Sequence, residues 1–436
     1  MEPLRIGLVG LGTVGGGVGR ILEQYAERNA LRAGRPLVIQ KAAVRDLTKP
    51  REIELSASQL TTDPFEVVTD PSVDVVLELI GGLDPARKLV ETALEHGKDV
   101  VTANKALICA HGQELFRKAR ELGRTICFEA AVAGGCPIIA AIGQSMASNQ
   151  IVSLEAIING TCNFILTEMF HKNVSYADAV KKAQALGYAE SDPAMDVEGT
   201  DAAQKLGILT QLAFGTRVVP EQFPVQGINT LDLDDLKYAD ELGYAVKLLA
   251  TAKLVEGKLE LHTQPTLLRH QRPLAQCDNA YNMIELTGDS VGKAWFSAMG
   301  AGQMATASAV VADVIDLAIG RAQLTFLKLD VWGSHAPVPL QEAAEIRRRY
   351  YFRFNVEDRP HVIADLADVF GRHEISLASV LQKEASEVDE SGETHPIVPL
   401  VFMTHRTLEG SVQAANRELA ELACVRAPWV CLPVAD

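Results

Sequence analysis

Near the amino terminus, LRIGLVG is a short and almost unbroken apolar run, the pattern of a strand buried on both faces. Val14, Val18, Ile21, Leu22 and Tyr25 then recur at helical spacing. LVIQKAAV and VDVVLELI repeat the strand pattern. The second is followed by Asp84 as N-cap and Pro85 at the first position of a helix that ends near Gly97. KDVVTANK and RTICFEAAV read as further strands. Strand and helix in regular alternation predict a parallel, doubly wound sheet, an α/β architecture of Rossmann type over residues 1–137.

From about Ile138 the rhythm changes. Helical segments dominate, with strands such as SLEAIIN and KLELHTQPTLL, which predicts an α+β domain over 138–304. GAGQMATASAVVADVIDLAIG is a glycine-rich turn feeding a helix of small residues. Ala305, Ala307, Ala309 and Ala312 would let that helix pack back on the first domain, a return segment near 305–340. The tail, 346–436, forms a third unit. Tyr350, Phe352, Phe354 and Val356 fall on one face at strand period. Asp358 caps a helix with Pro360 near its start, Ile363, Leu366, Ala367 and Phe370 as its stripe, and Gly371 at its end. ISLASVLQ is a strand, EVDESGETH a polar loop, and IVPLVFMTH a strand whose Pro399 favours a sheet edge. SVQAANRELAEL as a helix and CVRAPWVCLPV as a strand complete the order β-α-β-β-α-β, a ferredoxin-like arrangement.

Composition narrows the functional classes. The 436 residues suit two to four domains at roughly 100–200 residues each. A net charge of -15 disfavours a nucleic-acid partner, because the surface repels phosphates. MEPLRIGLVGLG shows no basic start and no cleavage site. The most apolar window, AAVAGGCPIIAAIGQSMA, is too broken to span a bilayer. Seven cysteines without a C-x-x-C pair suit buried, reduced thiols and a cytoplasmic protein.

Gly10, Gly12 and Gly15 form G-x-G-x-x-G between an apolar strand and an amphipathic helix. The first allows a tight turn, the second a close pyrophosphate, the third close helix packing. Main-chain N–H groups at the helix start then bind the anion. At the end of the second strand stands Arg45, with Asp46, Lys49 and Arg51 nearby. An arginine there accepts a 2′-phosphate and favours NADP, with NAD as the alternative. Asn104 and Lys105 follow a strand's carboxyl end, the edge that faces the ligand crevice. ESDPAMDVEGTDAAQK offers five carboxylates and ends on Lys205. Asp201 and Lys205 read first as a surface i, i+4 pair worth about 0.2–0.5 kcal/mol. The same spacing lets both point into one cleft, where hydride transfer needs a proton donor beside the oxygen. Carboxylates would also hold the ammonium of an amino-acid substrate. Gly134 and Gly135 allow a turn that aims carbonyls at a hard cation, or simply connect two domains.

Together these motifs resemble the homoserine dehydrogenase family along the whole chain, in its bacterial monofunctional form with a C-terminal ACT domain. The matching pieces are GLVGLGTVGGGV, AVRDLTKPR, VVLELIGG, VVTANKALI, FEAAVAGGCPII, INGTCNFIL, ALGYAESDPAMDVEGTDAAQKLGIL and GAGQMATASAV. The resemblance implies reversible NAD(P)-dependent interconversion of L-homoserine and L-aspartate 4-semialdehyde, on the route to threonine, methionine and isoleucine. It implies Lys205 as proton donor and Lys105 beside nicotinamide and substrate. Glu190, Asp201 and Asp196 would serve the substrate, with Gly160 and Thr161. Thr13, Val14, Gly187 and Gly302 would approach the cofactor. A monovalent cation, usually sodium, would take Glu129, Val132, Gly134 and Cys136 as ligands, the later ones through main-chain carbonyls. It further implies threonine as effector of the ACT domain, against dimerisation alone, and a homodimer or homotetramer. Ala305 stands where the family usually has proline. Two other readings fit the same residues: another amino-acid or semialdehyde dehydrogenase, or a silent sensor of nucleotide and amino acid. Both lysines in an intact acidic segment argue against silence.

Overall fold

The computed structural model describes residues 2–328, 336–382 and 397–435. The predicted loop EVDESGETH and part of the return segment lie outside them. The chain divides into two compact units built from interleaved segments. The first comprises Met1–Leu154, Asp201–Gln222 and Ala280–Val338; the second comprises Glu155–Thr200, Phe223–Asn279 and Pro339–Asp436.

Six parallel strands organise the first unit: β1 (Leu4–Val9), β2 (Leu37–Ala43), β3 (Leu60–Thr61), β4 (Val75–Glu78), β5 (Asp99–Thr102) and β6 (Ile126–Cys127). Their order is β3-β2-β1-β4-β5-β6, the doubly wound arrangement, so ligands belong at the strands' carboxyl ends. Ile6 and Leu8 are fully buried, as their unbroken apolar run predicts. RTICFEAAV keeps only the two residues of β6 as strand and then turns into a 3₁₀ helix, Glu129–Ala131. The helix after β4 begins at Ala86, one residue later than expected. Pro85 is its N-cap, with ψ at 10° outside the helical range.

Gln303–Ala318 is the predicted return helix and packs on Thr13–Gln24. A side chain at Gly17 would lie 2.8 Å from Gln303 Cγ and 3.0 Å from Ala307 Cβ, so the two helices meet at van der Waals distance only because Gly17 is bare. Ala305 occupies the third position of this helix, within the first turn where proline is also tolerated.

In the second unit, Tyr244–Val255 and Lys258–Arg269 pair in full register through Glu256 and Gly257, both at positive φ, as a two-residue hairpin turn requires. Helices Gly160–Lys172 and Leu233–Glu241 pack on the first of these strands. The β-α-β-β-α-β order of the tail is present, with a two-residue strand, Thr407–Leu408, added.

Three expectations for the tail change. It does not separate as a third unit: Val434 and Ala435 pair in parallel with Leu267 and Leu268 of the hairpin. The middle of Arg347–Glu357 is buried on both faces. Tyr350, Phe352, Phe354 and Val356 fill the predicted core, while Tyr351 and Arg353 are buried opposite. Arg353 donates from Nε to Asp235 Oδ1 at 2.6 Å and from Nη2 to Oδ2 at 3.0 Å. Second, the tail's first helix starts at Val362, because His361 takes a left-handed conformation (φ 72°) that interrupts any cap from Asp358. Its stripe shifts to Val362, Leu366, Val369 and Phe370, and leaves Ile363 40% exposed. The helix continues to Arg372. Third, Pro399 lies in an inner strand rather than at an edge. It pairs with Asn355 on one side, one residue beyond the last described partner, Gln382, on the other.

Removing one partner of a buried pair strands the other charge. Arg353→Met is expected to lower stability by about 3–5 kcal/mol in urea denaturation. Adding Asp235→Asn, which keeps an acceptor for the Asp232 N–H, is expected to recover at least half of that loss.

Candidate active site

The glycine turn follows β1 directly. Gly10 takes φ 103°, and a side chain there would meet Leu79 O at 3.0 Å. A Cβ at Gly15 would sit 2.2 Å from Gly10 O, whereas at Gly12 it would meet nothing within 4 Å. The first and third glycines are thus required by the protein itself. Gly12 opens onto a cavity of about 1160 Å³, lined by Gly10, Gly12, Thr13, Arg45, Asp46, Lys49, Arg51, Leu79, Ile80 and Gln303 among others. Val14 instead packs against the core, which leaves its main chain for a ligand.

The loop after β2 is folded by its own polar groups. Arg51 donates to the carbonyls of Asp46, Leu47 and Lys49. Thr48 donates to Asp46 Oδ1 from its hydroxyl at 2.7 Å and its amide at 2.8 Å, which holds that carboxyl below its usual range. Arg45 is exposed at the head of the loop. Across the cavity Gln303 Nε2 donates to Glu52 Oε2 at 3.1 Å. Gly302, the N-cap of the return helix, takes φ 109°.

Lys105 is the first residue of helix Lys105–Glu121, whose N-cap Asn104 accepts the Leu107 N–H at 3.1 Å. Its Nζ lies 3.0 Å from Asp201 Oδ1, and Lys205 Nζ lies 2.7 Å from Asp201 Oδ2. Asp201 stands in the first turn of helix Thr200–Phe214 and its side chain is 7% exposed. The surface-pair reading of Asp201 and Lys205 therefore fails: the carboxylate is buried and shared by two ammonium groups.

The remaining acidic residues belong to the second unit. Asp196 Oδ1 accepts from Asn159 Nδ2 at 2.7 Å, and the Asp196 carbonyl accepts the Cys162 thiol at 3.1 Å. Asn159 caps helix Gly160–Lys172, so Asp196 is tied to the start that carries Gly160 and Thr161. The Thr161 hydroxyl donates to Tyr188 O at 2.7 Å. Gly187 takes φ 75°. Glu190 is exposed, and its carbonyl accepts from Gln184 at 3.1 Å. Asp192 accepts the Ala194 N–H at 3.1 Å, and Glu198 is exposed. The segment is held at Gly199 (φ 87°) and at Gly227, where a Cβ would lie 2.0 Å from Val197 O.

At FEAAVAGGCPII, both carboxylate oxygens of Glu129 accept main-chain N–H groups, from Ile139 at 2.9 Å and Ala140 at 2.8 Å. Burial raises the Glu129 carboxyl, against those donors, and pushes the Cys136 thiol up to about 12. Among the described residues no cluster of His, Cys, Asp and Glu is shaped for a metal. A cation here would have to rely on carbonyls, which suits the left-handed pair Ala133 and Gly134 (φ 57° and 49°). No described helix is long and apolar enough to cross a membrane.

Two residues at the crevice escaped the sequence reading: Glu78, fully buried, and Thr102, 1% exposed. A carboxylate inside the apolar run VVLELI was the available signal.

Comparisons with known proteins point to one family. Residues 137–315 match the family model for homoserine dehydrogenase, and residues 10–129 match its NAD binding domain. The homoserine dehydrogenase of Pseudomonas aeruginosa is 42% identical over 442 residues, covering 100% of this chain and 99% of its own. The crystal structure of a homoserine dehydrogenase from Thiobacillus denitrificans superposes with a TM-score of 0.89 at 42% identity, over 100% and 99% of the two chains. A hyperthermophilic archaeal homoserine dehydrogenase in complex with NADPH is similar over 72% of this chain and 97% of its own, at 25% identity and a TM-score of 0.61.

Two glycine variants separate the fold's demand from the ligand's. Gly15→Ala is expected to destabilise the unliganded protein by about 1–3 kcal/mol. Gly12→Ala is expected to leave its melting temperature unchanged while weakening nucleotide binding at least about tenfold, read by titration of nucleotide fluorescence.

Proposed function

The chain belongs to the homoserine dehydrogenase family, and from that premise we propose that Asp201 arms Lys205 and Lys105 for proton transfer at the substrate oxygen. As a member it is an NAD(P)-dependent oxidoreductase that interconverts L-homoserine and L-aspartate 4-semialdehyde. The observation that supports the residue roles is the buried carboxylate with one lysine on each oxygen.

When bound, the nicotinamide cofactor carries the hydride. The aldehyde oxygen then requires a proton, and in reverse the homoserine hydroxyl must lose one. Lys205, 13% exposed, is the donor; Asp201 fixes its ammonium and stabilises its charge. Lys105, 36% exposed, stands nearer solvent and lies beside nicotinamide and substrate. Glu190 and Asp201 would hold the substrate, with Asp196 also serving it. Gly160 and Thr161 contribute main-chain amides, since the Thr161 hydroxyl is engaged by Tyr188.

Gly10, Gly12, Thr13, Val14 and Gly15 would take the pyrophosphate, with Gly187 and Gly302 as further contacts. Arg45 would take a 2′-phosphate, which makes NADP the preferred cofactor and NAD the lesser one. Glu129, with the main-chain carbonyls of Val132, Gly134 and Cys136, would hold a sodium ion, whose charge would order the turn. The tail is an ACT domain that takes threonine as effector, and the assembly is a cytoplasmic homodimer or homotetramer.

Lys205→Ala is expected to lower kcat by about 10²- to 10⁴-fold while nucleotide affinity stays within about twofold. Turnover near wild type would remove Lys205 as donor. Initial rates on the intact chain test the remaining roles. NADPH should outperform NADH, and threonine should slow the reaction; equal rates with both nucleotides, or no response to threonine, would each strike out one assignment. The tail cannot be cut away for this purpose, because its last strand is paired with Leu267 and Leu268.

A further inference from the structure

Glu78 ends β4 and is 0% exposed. Burying a carboxylate is costly unless donors satisfy it, and an apolar side chain would fill a strand end without that cost. Its donors come from the loop that follows it and from the end of the neighbouring strand. Oε1 accepts the N–H of Ile80 at 3.1 Å and of Gly81 at 3.3 Å. Oε2 accepts the Thr102 hydroxyl at 2.6 Å. The same hydroxyl oxygen accepts the N–H of Asn104 at 3.0 Å. Asn104 in turn donates to Gly82 O at 2.7 Å and caps the helix that begins with Lys105.

The brace therefore closes on itself. It fixes the left-handed pair Gly81 and Gly82 (φ 72° and 74°), whose loop presents Leu79, Ile80 and Gly81 to the nucleotide cavity. It also fixes the residue before Lys105. Every member lies at the carboxyl ends of adjacent strands β4 and β5, the edge where a doubly wound sheet receives its ligand.

We propose that Glu78 and Thr102 are positioning residues that lock the nucleotide-facing loop to the start of the Lys105 helix, so that cofactor and lysine keep one fixed relation during turnover. This rests on the assignment of Lys105 to the active site. Misplacement by a fraction of an ångström lowers reaction rate far more than binding.

The test uses the intact protein with NADPH and aspartate semialdehyde. Thr102→Val keeps shape and removes the hydroxyl. It is expected to lower kcat at least about tenfold, with KM for the aldehyde within about twofold. Thr102→Ser, which restores the hydroxyl, should recover kcat to within about threefold. Glu78→Gln, a second variant of unchanged size, should fall with Thr102→Val. The brace is overturned if Thr102→Val keeps its kcat, or if Thr102→Ser loses as much as Thr102→Val, since packing would then be the cause. Lys105→Ala, run alongside, separates the two claims. Full turnover there overturns both the lysine assignment and the brace; loss there with full turnover in Thr102→Val overturns the brace alone.

Discussion

The proposed chemistry depends on one buried carboxylate shared by two lysines. Two ammonium groups cannot be brought within reach of one another without a negative charge between them. Asp201 supplies it, at 3.0 and 2.7 Å. Its own location is favourable, because a carboxylate in the first turn of a helix meets the positive end of the helix dipole. Lys105 has the opposite circumstance. It is the first residue of its helix, where a cation is disfavoured by the same dipole. Its pairing with a buried carboxylate far away in sequence offsets that unfavourable position.

The nucleotide half is built by missing side chains. Gly15 lets the helix start touch Gly10 O, and Gly17 lets the return helix lie against it. Gly19 does the same for Ile53, where a Cβ would come within 2.3 Å of Cδ1. The glycines thus have two separate uses. Most let protein approach protein, and Gly12 alone in the motif leaves room for a ligand.

Five of the six sheet strands, the glycine turn and the return helix were legible in the sequence, because each follows from short-range periodicity or a fixed spacing; the two residues of Leu60–Thr61 are too few to show a period. It misplaced the helix starts at Pro85 and His361, where one residue's backbone angles override the capping preference of Asp84 and Asp358. It expected Arg347–Glu357 to bury one face, since the second face is covered by residues more than a hundred positions away. The same limit made Asp201 and Lys205 look like a surface pair: nothing in the spacing reveals that Lys105 completes them. Glu78 was visible as an anomaly inside VVLELI, but its partner Thr102 belongs to a different strand.

Three buried carboxylates share a physical logic. Glu78 receives donors from a loop and a neighbouring strand, Asp201 from two helices, and Asp235 from the tail strand and its own helix start. In each case an apolar residue could fill the volume, and hydrophobic contact would tolerate several arrangements of the joined segments. A carboxylate does not, because displacement leaves an unpaired charge in the core. Charge is therefore placed where segments distant in sequence must keep one relation. Asp235 joins the tail to helix Leu233–Glu241, Glu78 joins the loop after β4 to the end of β5, and Asp201 joins the two ammonium groups to each other. That common cost, accepted at three junctions, is what distinguishes these carboxylates from the exposed Asp192 and Glu198 of the acidic segment that also holds Asp201.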